Sequence, residues 1–224
     1  SIRNIPPKIE KFRMYRSKGG EWIRESCCRL IQCIVSRKSW NFQENTALRY
    51  LQTLKECLRN FSEDVQLAAA EALYALLQWR LSLKDSLSVC DMLLAALSVK
   101  DEHVAARRGY ALAVGMLPVS ILEFKFEDIV DLLCKEITRT IQSQEIHLKN
   151  AETRRNALVS LILLLEKIYF NDREDSVIQE HRWRSLFPRI NWEIIMKTFC
   201  MATKDYEMDE RGDVGLWVRE VAAE

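Results

Sequence analysis

From Ser62 to Leu77 the chain reads SEDVQLAAAEALYALL, with apolar positions at Val65, Ala68, Ala69, Ala72, Leu73, Leu76 and Leu77. That spacing is the i, i+3, i+4, i+7 pattern of a helix with one buried face. Ser62 is the expected N-cap, and Glu63 and Asp64 suit the positive end of the helix dipole. The alanine run makes the helix narrow, so a neighbour can come close.

Segments of the same kind return along the chain. Val65 aligns with Ile23 in EWIRESCCRLIQCIV at an offset of 42 residues, and with Val104 in DEHVAARRGYALAVGML at 39. Arg107-Arg108 aligns with Arg154-Arg155 in NAETRRNALVSLILLL at an offset of 47. A last copy, RGDVGLWVREVAAE, begins near Arg211. A repeat of roughly 40 to 47 residues is the period of HEAT or armadillo helical repeats. The expected fold is therefore all-α, a HEAT/armadillo-type solenoid of stacked antiparallel helix pairs, with each copy as the inner helix of its pair. The irregular offsets mark the repeats as degenerate.

Between these copies the periodicity predicts the remaining elements. Residues 1–18 read as the end of a preceding helix or a linker, broken by Gly19-Gly20, and residues 19–224 as the repeat domain. A first helix is expected over about Glu21 to Arg37, with Ile23, Cys27, Leu30, Ile31 and Ile34 along one side. A second is expected over about Glu44 to Asn60, with Leu48, Leu51, Leu54 and Leu58 facing inward. Ser82 to Ser86 reads as a loop, followed by outer helices over Leu87 to Val99, Glu127 to Ser143 and Asn191 to Lys204. Gly115 to Pro118 should stop one inner helix, and the next spans about Ala151 to Phe170. Residues 171–189 carry four basic and four acidic residues with little periodicity, the signature of an insertion. Asp205 to Arg211 is a polar exit into a last inner helix that reads as truncated, which suggests a piece of a longer solenoid.

Composition narrows the functional classes. A net charge of +1 gives no reason to expect nucleic acid as a partner. No apolar run reaches the 18 or so residues that span a bilayer. Charge is unevenly spread: residues 1–40 hold ten Lys or Arg against three acids, and residues 201–224 hold seven acids against three basic residues. Each end can meet a partner of opposite sign, or simply solvate its helices. The seven cysteines are an odd number set among apolar neighbours, which fits a reducing cytoplasm better than a disulfide framework.

Candidate chemistry is sparse. The glycines form neither GxxxxGK[ST] nor GxGxxG. Cys27, Cys28 and Cys33 lack metal-ligand spacing, and His103, His147 and His181 fall in separate expected turns. No base is placed to activate a thiol nucleophile. The expectation is a non-enzymatic protein with no cofactor, no metal and no catalytic residue.

Three stretches stand out instead. Arg107-Arg108-Gly109-Tyr110 puts two arginines into the start of an inner helix, and Gly109 costs the helix about 1 kcal/mol relative to Ala unless a neighbour packs against it. Glu152-Thr153-Arg154-Arg155 repeats the basic pair. Its arginines either bridge carboxylates of adjacent repeats as a polar ladder, the favoured alternative, or face a groove and bind a partner through their planar donor forks. In RGDVGLWVRE, Asp213 can cap the last helix, Trp217 is an apolar anchor, and Arg219 is placed to reach the next repeat. Arg107, Arg108, Arg154, Arg155, Arg211, Asp213, Trp217 and Arg219 are thus the candidate partner-binding or inter-repeat residues.

The string RGDVGLWVRE also resembles the signature segment of the tubulin-folding cofactor D family, large HEAT-repeat chaperones of the tubulin assembly pathway. GGEWIRESCCRLI (Gly19 to Ile31), RRGYALAVGMLPVSIL (Arg107 to Leu122) and AETRRNALVSL (Ala151 to Leu161) resemble the family's C-terminal region in the same order. The likeness runs from about Gly19 to Ala223 and is weakest over Trp40 to Asn60 and Asn171 to Trp192. The resemblance implies β-tubulin and the αβ-tubulin dimer as partners, together with cofactor E and an Arf-like small GTPase. It implies assembly and disassembly of the dimer, stimulation of GTP hydrolysis in a partner, and a cytoplasmic setting at the cytoskeleton or centrosome. Arg154, Arg155 and Arg211 are the arginines to test for that stimulation. The alternative is a generic HEAT scaffold, of transport-receptor or phosphatase-adaptor type, whose likeness stops at the repeat.

Overall fold

In the computed structural model, which describes residues 20–37, 44–98, 103–142, 150–170 and 190–224, helices follow one another almost without interruption. Among the described residues they are α1 (Gly20–Ser36), α2 (Glu44–Leu58), α3 (Glu63–Trp79), α4 (Leu83–Ser98), α5 (Val104–Gly115), α6 (Val119–Gln142), α7 (Ala151–Phe170), α8 (Trp192–Ala202) and α9 (Leu216–Ala223). The inner helices α1, α3, α5, α7 and α9 each pack on the next, and the outer helices α4, α6 and α8 do the same. Each outer helix also packs on the inner helix that follows it, giving the pairs α2–α3, α4–α5, α6–α7 and α8–α9. This is the stacked two-layer solenoid expected from the repeats, and one continuous apolar cluster runs from Cys27 to Val218 between its layers. No helix among the described residues is long and apolar enough to cross a membrane.

The inner helix α5 is the most enclosed. From Ala105 to Gly115 its residues are buried except Arg108. Small side chains explain this. A Cβ on Gly109 would run into the carbonyl oxygen of Leu58 at the end of α2, and one on Gly115 would run into Ser160 of α7. The close approach that Gly109 called for is therefore made by α2. Ser160 donates to the Ala111 carbonyl at 2.7 Å, pinning α7 to α5 where their backbones are nearest. Gln66, buried in α3, donates to the Ala105 carbonyl at 2.7 Å, so α3 and α5 are joined in the same way.

Several boundaries differ from the sequence reading. Leu48 is exposed, because Ala47, Tyr50, Leu51, Leu54, Cys57 and Leu58 fill the buried face of α2 and leave it a turn edge away. Ser62 precedes α3 but makes no side-chain cap; its N–H is taken by Asn60 Oδ1 and its carbonyl starts the helix. Helix α4 begins at Leu83, inside the expected loop, because Ser82 Oγ accepts the Asp85 N–H at 3.2 Å and caps it. Helix α6 starts directly after Pro118 and not at Glu127; the Pro118 carbonyl accepts from Ile121, and Ile121, Leu122 and Phe126 continue the apolar face. The polar exit after α8 is not plain loop: Met208–Asp209 (β1) and Gly212–Asp213 (β2) form a short antiparallel hairpin. Gly212 takes φ of 101° there, a left-handed conformation that a residue with a Cβ adopts at a cost. The remaining predicted ends agree within a few residues, and Asn191 Oδ1 caps α8 by accepting from Ile194. The residue 1–18 segment and the 171–189 insertion lie outside the described residues.

Candidate functional site

Inner helices run side by side, so their first turns form one edge of the molecule. Two of these first turns carry arginine pairs, placed against the positive end of the helix dipole, which disfavours them. Carboxylates must come from elsewhere, and the fold brings them in. The result is a chain of arginine–carboxylate contacts that crosses from repeat to repeat.

Arg154 is the centre of this ladder. Its side chain is 2% exposed, and its Nε donates to Asp205 Oδ2 at 2.8 Å. Its Nη2 also donates to Glu207. Both carboxylates lie in the exit segment between α8 and the hairpin. That segment is wedged close by Gly215, where a Cβ would meet the Asp205 carbonyl. A buried arginine left alone would cost several kcal/mol, so two acids and a short approach are what make its position tenable.

Arg107 and Arg108, adjacent in sequence, point to different partners. Arg107 is buried and donates through Nη2 to the equally buried Glu136 of α6, which also faces Arg139 Nη1 at 2.7 Å. Burial pushes the Glu136 carboxyl above its ordinary range, and the two arginines oppose that push. Arg108 Nη1 instead lies 3.7 Å from Glu152 in the first turn of α7. Burial favours the neutral form of Glu152, but the Arg211 hydrogen bond, its own backbone N–H and Arg108 together bring its carboxyl below the usual range. Arg211 thus joins the hairpin to α7. It also grips Asp209 through Nε at 3.0 Å and Nη2 at 2.6 Å, and it stacks 5.1 Å over the Trp217 ring.

The last pair is local. Arg219 Nη2 donates to Asp213 Oδ2 at 2.6 Å, and Nη1 reaches the Asp205 carbonyl. Its guanidinium lies 4.5 Å from the Tyr206 ring centroid. Asp213 Oδ1 accepts the Leu216 N–H at 3.1 Å, so Asp213 does cap α9. The Arg219 contact holds the Asp213 carboxyl below its ordinary range. Arg219 therefore folds back on its own repeat and does not extend to another. Arg155 makes the longest step: its Nη2 pairs with Glu63 at the start of α3, passing over α5.

All eight residues singled out from the sequence thus lie in or beside this ladder, but not in one pocket. The sequence reading missed their acid partners, above all Asp205, Glu207, Glu136 and Glu63. Only the excess of acids after residue 200 hinted at the first two. It also missed Lys167, whose Nζ donates to the Gly115 and Leu117 carbonyls at 2.9 and 3.1 Å. Burial brings its ammonium down to about 8. Among the described residues no group of three His, Cys, Asp or Glu side chains is gathered to hold a metal.

Stacked helix pairs stitched by buried ion pairs define an all-α helical-repeat solenoid. Within that class the chain is a cofactor D-like region. It is 30% identical over 185 residues to Tubulin-specific chaperone D of Dictyostelium discoideum, covering 75% of this chain. The chain spans 12% of the length of that protein. No family model and no solved structure matches it.

Proposed function

We propose that this region is a non-enzymatic scaffold segment of a tubulin chaperone in the cytoplasm. It contributes part of the repeat surface that holds β-tubulin while the αβ dimer is assembled or taken apart, in company with cofactor E and an Arf-like small GTPase. The observation that carries this reading is the 30% identity to Tubulin-specific chaperone D across three quarters of the chain. The geometry suits the role, because a solenoid meets a folded client over a broad surface and needs no pocket.

Within this reading the arginine pairs are inter-repeat struts and not client contacts. Arg154 and Arg107 have their carboxylates inside the protein and offer almost no surface. Arg154 is equally unsuited to enter a partner's GTP site. Arg211, with half its side chain exposed, is the better candidate of the three for any stimulation of hydrolysis, although Asp209 and Glu152 already hold it.

The test is a pull-down with the 224-residue chain as bait, offering αβ-tubulin and a GTP-loaded Arf-like GTPase separately at low and moderate salt. Capture of tubulin that survives Arg155→Ala and Arg211→Ala supports the reading. Capture of neither by a chain shown helical by circular dichroism overturns it for this region.

A further inference from the structure

Helix α5 lies between α3 and α7 and packs against both. Two side-chain bridges join those two neighbours. Near the N-terminal end of α5, Arg155 of α7 pairs with Glu63 of α3. Near its C-terminal end Lys167 of α7 lies 5.7 Å from the ring centroid of Tyr74 of α3, within cation–π range. Lys167 also holds the end of α5, donating to the carbonyl of Gly115, its last residue, and to that of Leu117 in the turn that follows.

The sequence makes this bridging possible. Ala105, Ala106, Gly109, Ala111, Ala113 and Gly115 keep α5 thin, and Gly115 lets α7 come against it at Ser160. Helix α3 meets α5 through Gln66, whose side chain donates to the Ala105 carbonyl at 2.7 Å and holds the two helices together. Long side chains on α7 can then reach α3 past a helix that has few long side chains of its own.

We infer that Arg155–Glu63 and Lys167–Tyr74 are two latches that lock α7 to α3 across α5, so that these three inner helices move as one stiff block of the solenoid. The two latches differ in kind. Glu63 is 60% exposed, so salt screens the first latch, whereas the second is shielded by the burial of the Lys167 stem.

Hydrogen exchange by mass spectrometry on the whole chain tests this, comparing amides of α5 with those of α1. Five variants serve: Arg155→Glu, Glu63→Arg, the exchanged pair Glu63→Arg/Arg155→Glu, Lys167→Met/Tyr74→Leu, and Arg155→Glu/Lys167→Met/Tyr74→Leu, which opens both latches. Opening one latch is expected to speed exchange in α5 a few-fold, and opening both about tenfold, the scale of an exposed ion pair plus a cation–π contact. Exchange in α1 should stay as it was. The exchanged pair should restore α5 protection lost in either single variant, and 0.5 M salt should mimic Arg155→Glu but not Lys167→Met/Tyr74→Leu. Unchanged α5 exchange with both latches open overturns the inference. So does an equal rise in α5 and α1, which is general destabilisation, or a failure of the exchanged pair to restore protection.

Discussion

Arg154 and Asp205 are 51 residues apart in the chain, yet Nε and Oδ2 meet at 2.8 Å with both side chains almost wholly out of water. The contact ties the first turn of α7 to the exit from α8, which is one repeat step. Removing one partner of a buried pair costs about 3–5 kcal/mol, because the other charge stays behind without compensation. Arg154→Met strands two carboxylates, Asp205 and Glu207, and is expected to fall at the upper end of that range. Asp205→Asn leaves Arg154 its Glu207 contact and should cost about half as much. Urea unfolding followed by circular dichroism reads both. If Arg154→Met shifted the midpoint by less than about 1 kcal/mol equivalent, the ladder would not be what holds the last two repeats together.

Glycine substitutions separate close packing from backbone conformation. In an ordinary helix Gly→Ala stabilises by about 1 kcal/mol. At Gly109 the sign should reverse, because the added methyl meets the Leu58 carbonyl oxygen, a backbone atom that cannot turn aside. Overpacking of this kind costs about 1–3 kcal/mol. Gly212→Ala has open space around it but must adopt φ of 101°, a strain of about 1–2 kcal/mol. Thermal melts of the two variants, with Gly109→Ala the more damaging and broadening the α2–α5 contact first, are the check.

What the sequence made legible, and what it did not, follows from the range of the signals. The 3.6-residue period and the repeat of basic pairs are local, so they located the inner helices and the arginines. Gly109 was legible as a packing position for the same reason, since its cost inside a helix demanded a neighbour. The identity of that neighbour, the end of α2, was not. Leu48 shows the limit of a stripe: with apolar residues at Ala47, Tyr50 and Leu51 as well, the chain offered two faces and only packing chose between them. Charge partners were the least legible. Glu136 sits on a helix beside Leu133 and Ile137, and an acid on an apolar face was the one local sign that an arginine must come to it. Asp205 and Glu207 lie in a polar segment with no period at all. The hairpin over residues 208–213 was hidden in the same segment, because two-residue strands carry no alternation to read.

Thiol chemistry should divide the cysteines sharply. Cys33 and Cys200 are exposed, while Cys27, Cys28, Cys57, Cys90 and Cys134 are buried. Burial, with the nearby Asp91 adding to it, pushes the Cys90 thiol up to about 12. Burial likewise raises the Cys134 thiol, against the pull of its Thr198 hydrogen bond. The thiolate is the reactive form, so both thiols are doubly protected. Iodoacetamide at pH 8 is expected to label Cys33 and Cys200 in the folded chain, and all seven cysteines only once urea has unfolded it. Early labelling of Cys90, read by peptide mass spectrometry, would contradict the packing of α4 against α6.

Acid should loosen one end of the stack before the middle. Hydrogen bonds from Arg211 and Arg219 hold the Asp209 and Asp213 carboxyls below their ordinary value of 3.8, and Glu152 also lies below its 4.5. For a group whose folded pKa is depressed, the folded state binds its proton less readily than the unfolded chain does. The stabilisation is therefore present above the unfolded value and is lost as pH falls through the folded one. Glu136 has the opposite sign, since burial raises its folded pKa, and protonation there relieves an energetic cost. Lowering pH below about 4 should thus loosen the hairpin and its Arg211–Glu152 tie to α7 while α5 and α6 stay packed. Trp217 reports the event, because Arg211 lies over its ring at 5.1 Å. The fluorescence difference between the natural chain and Trp217→Phe is expected to change between pH 4 and 3, ahead of the loss of helical circular dichroism. Coincident transitions would mean that the last repeat is not held by these carboxylates separately from the rest of the solenoid.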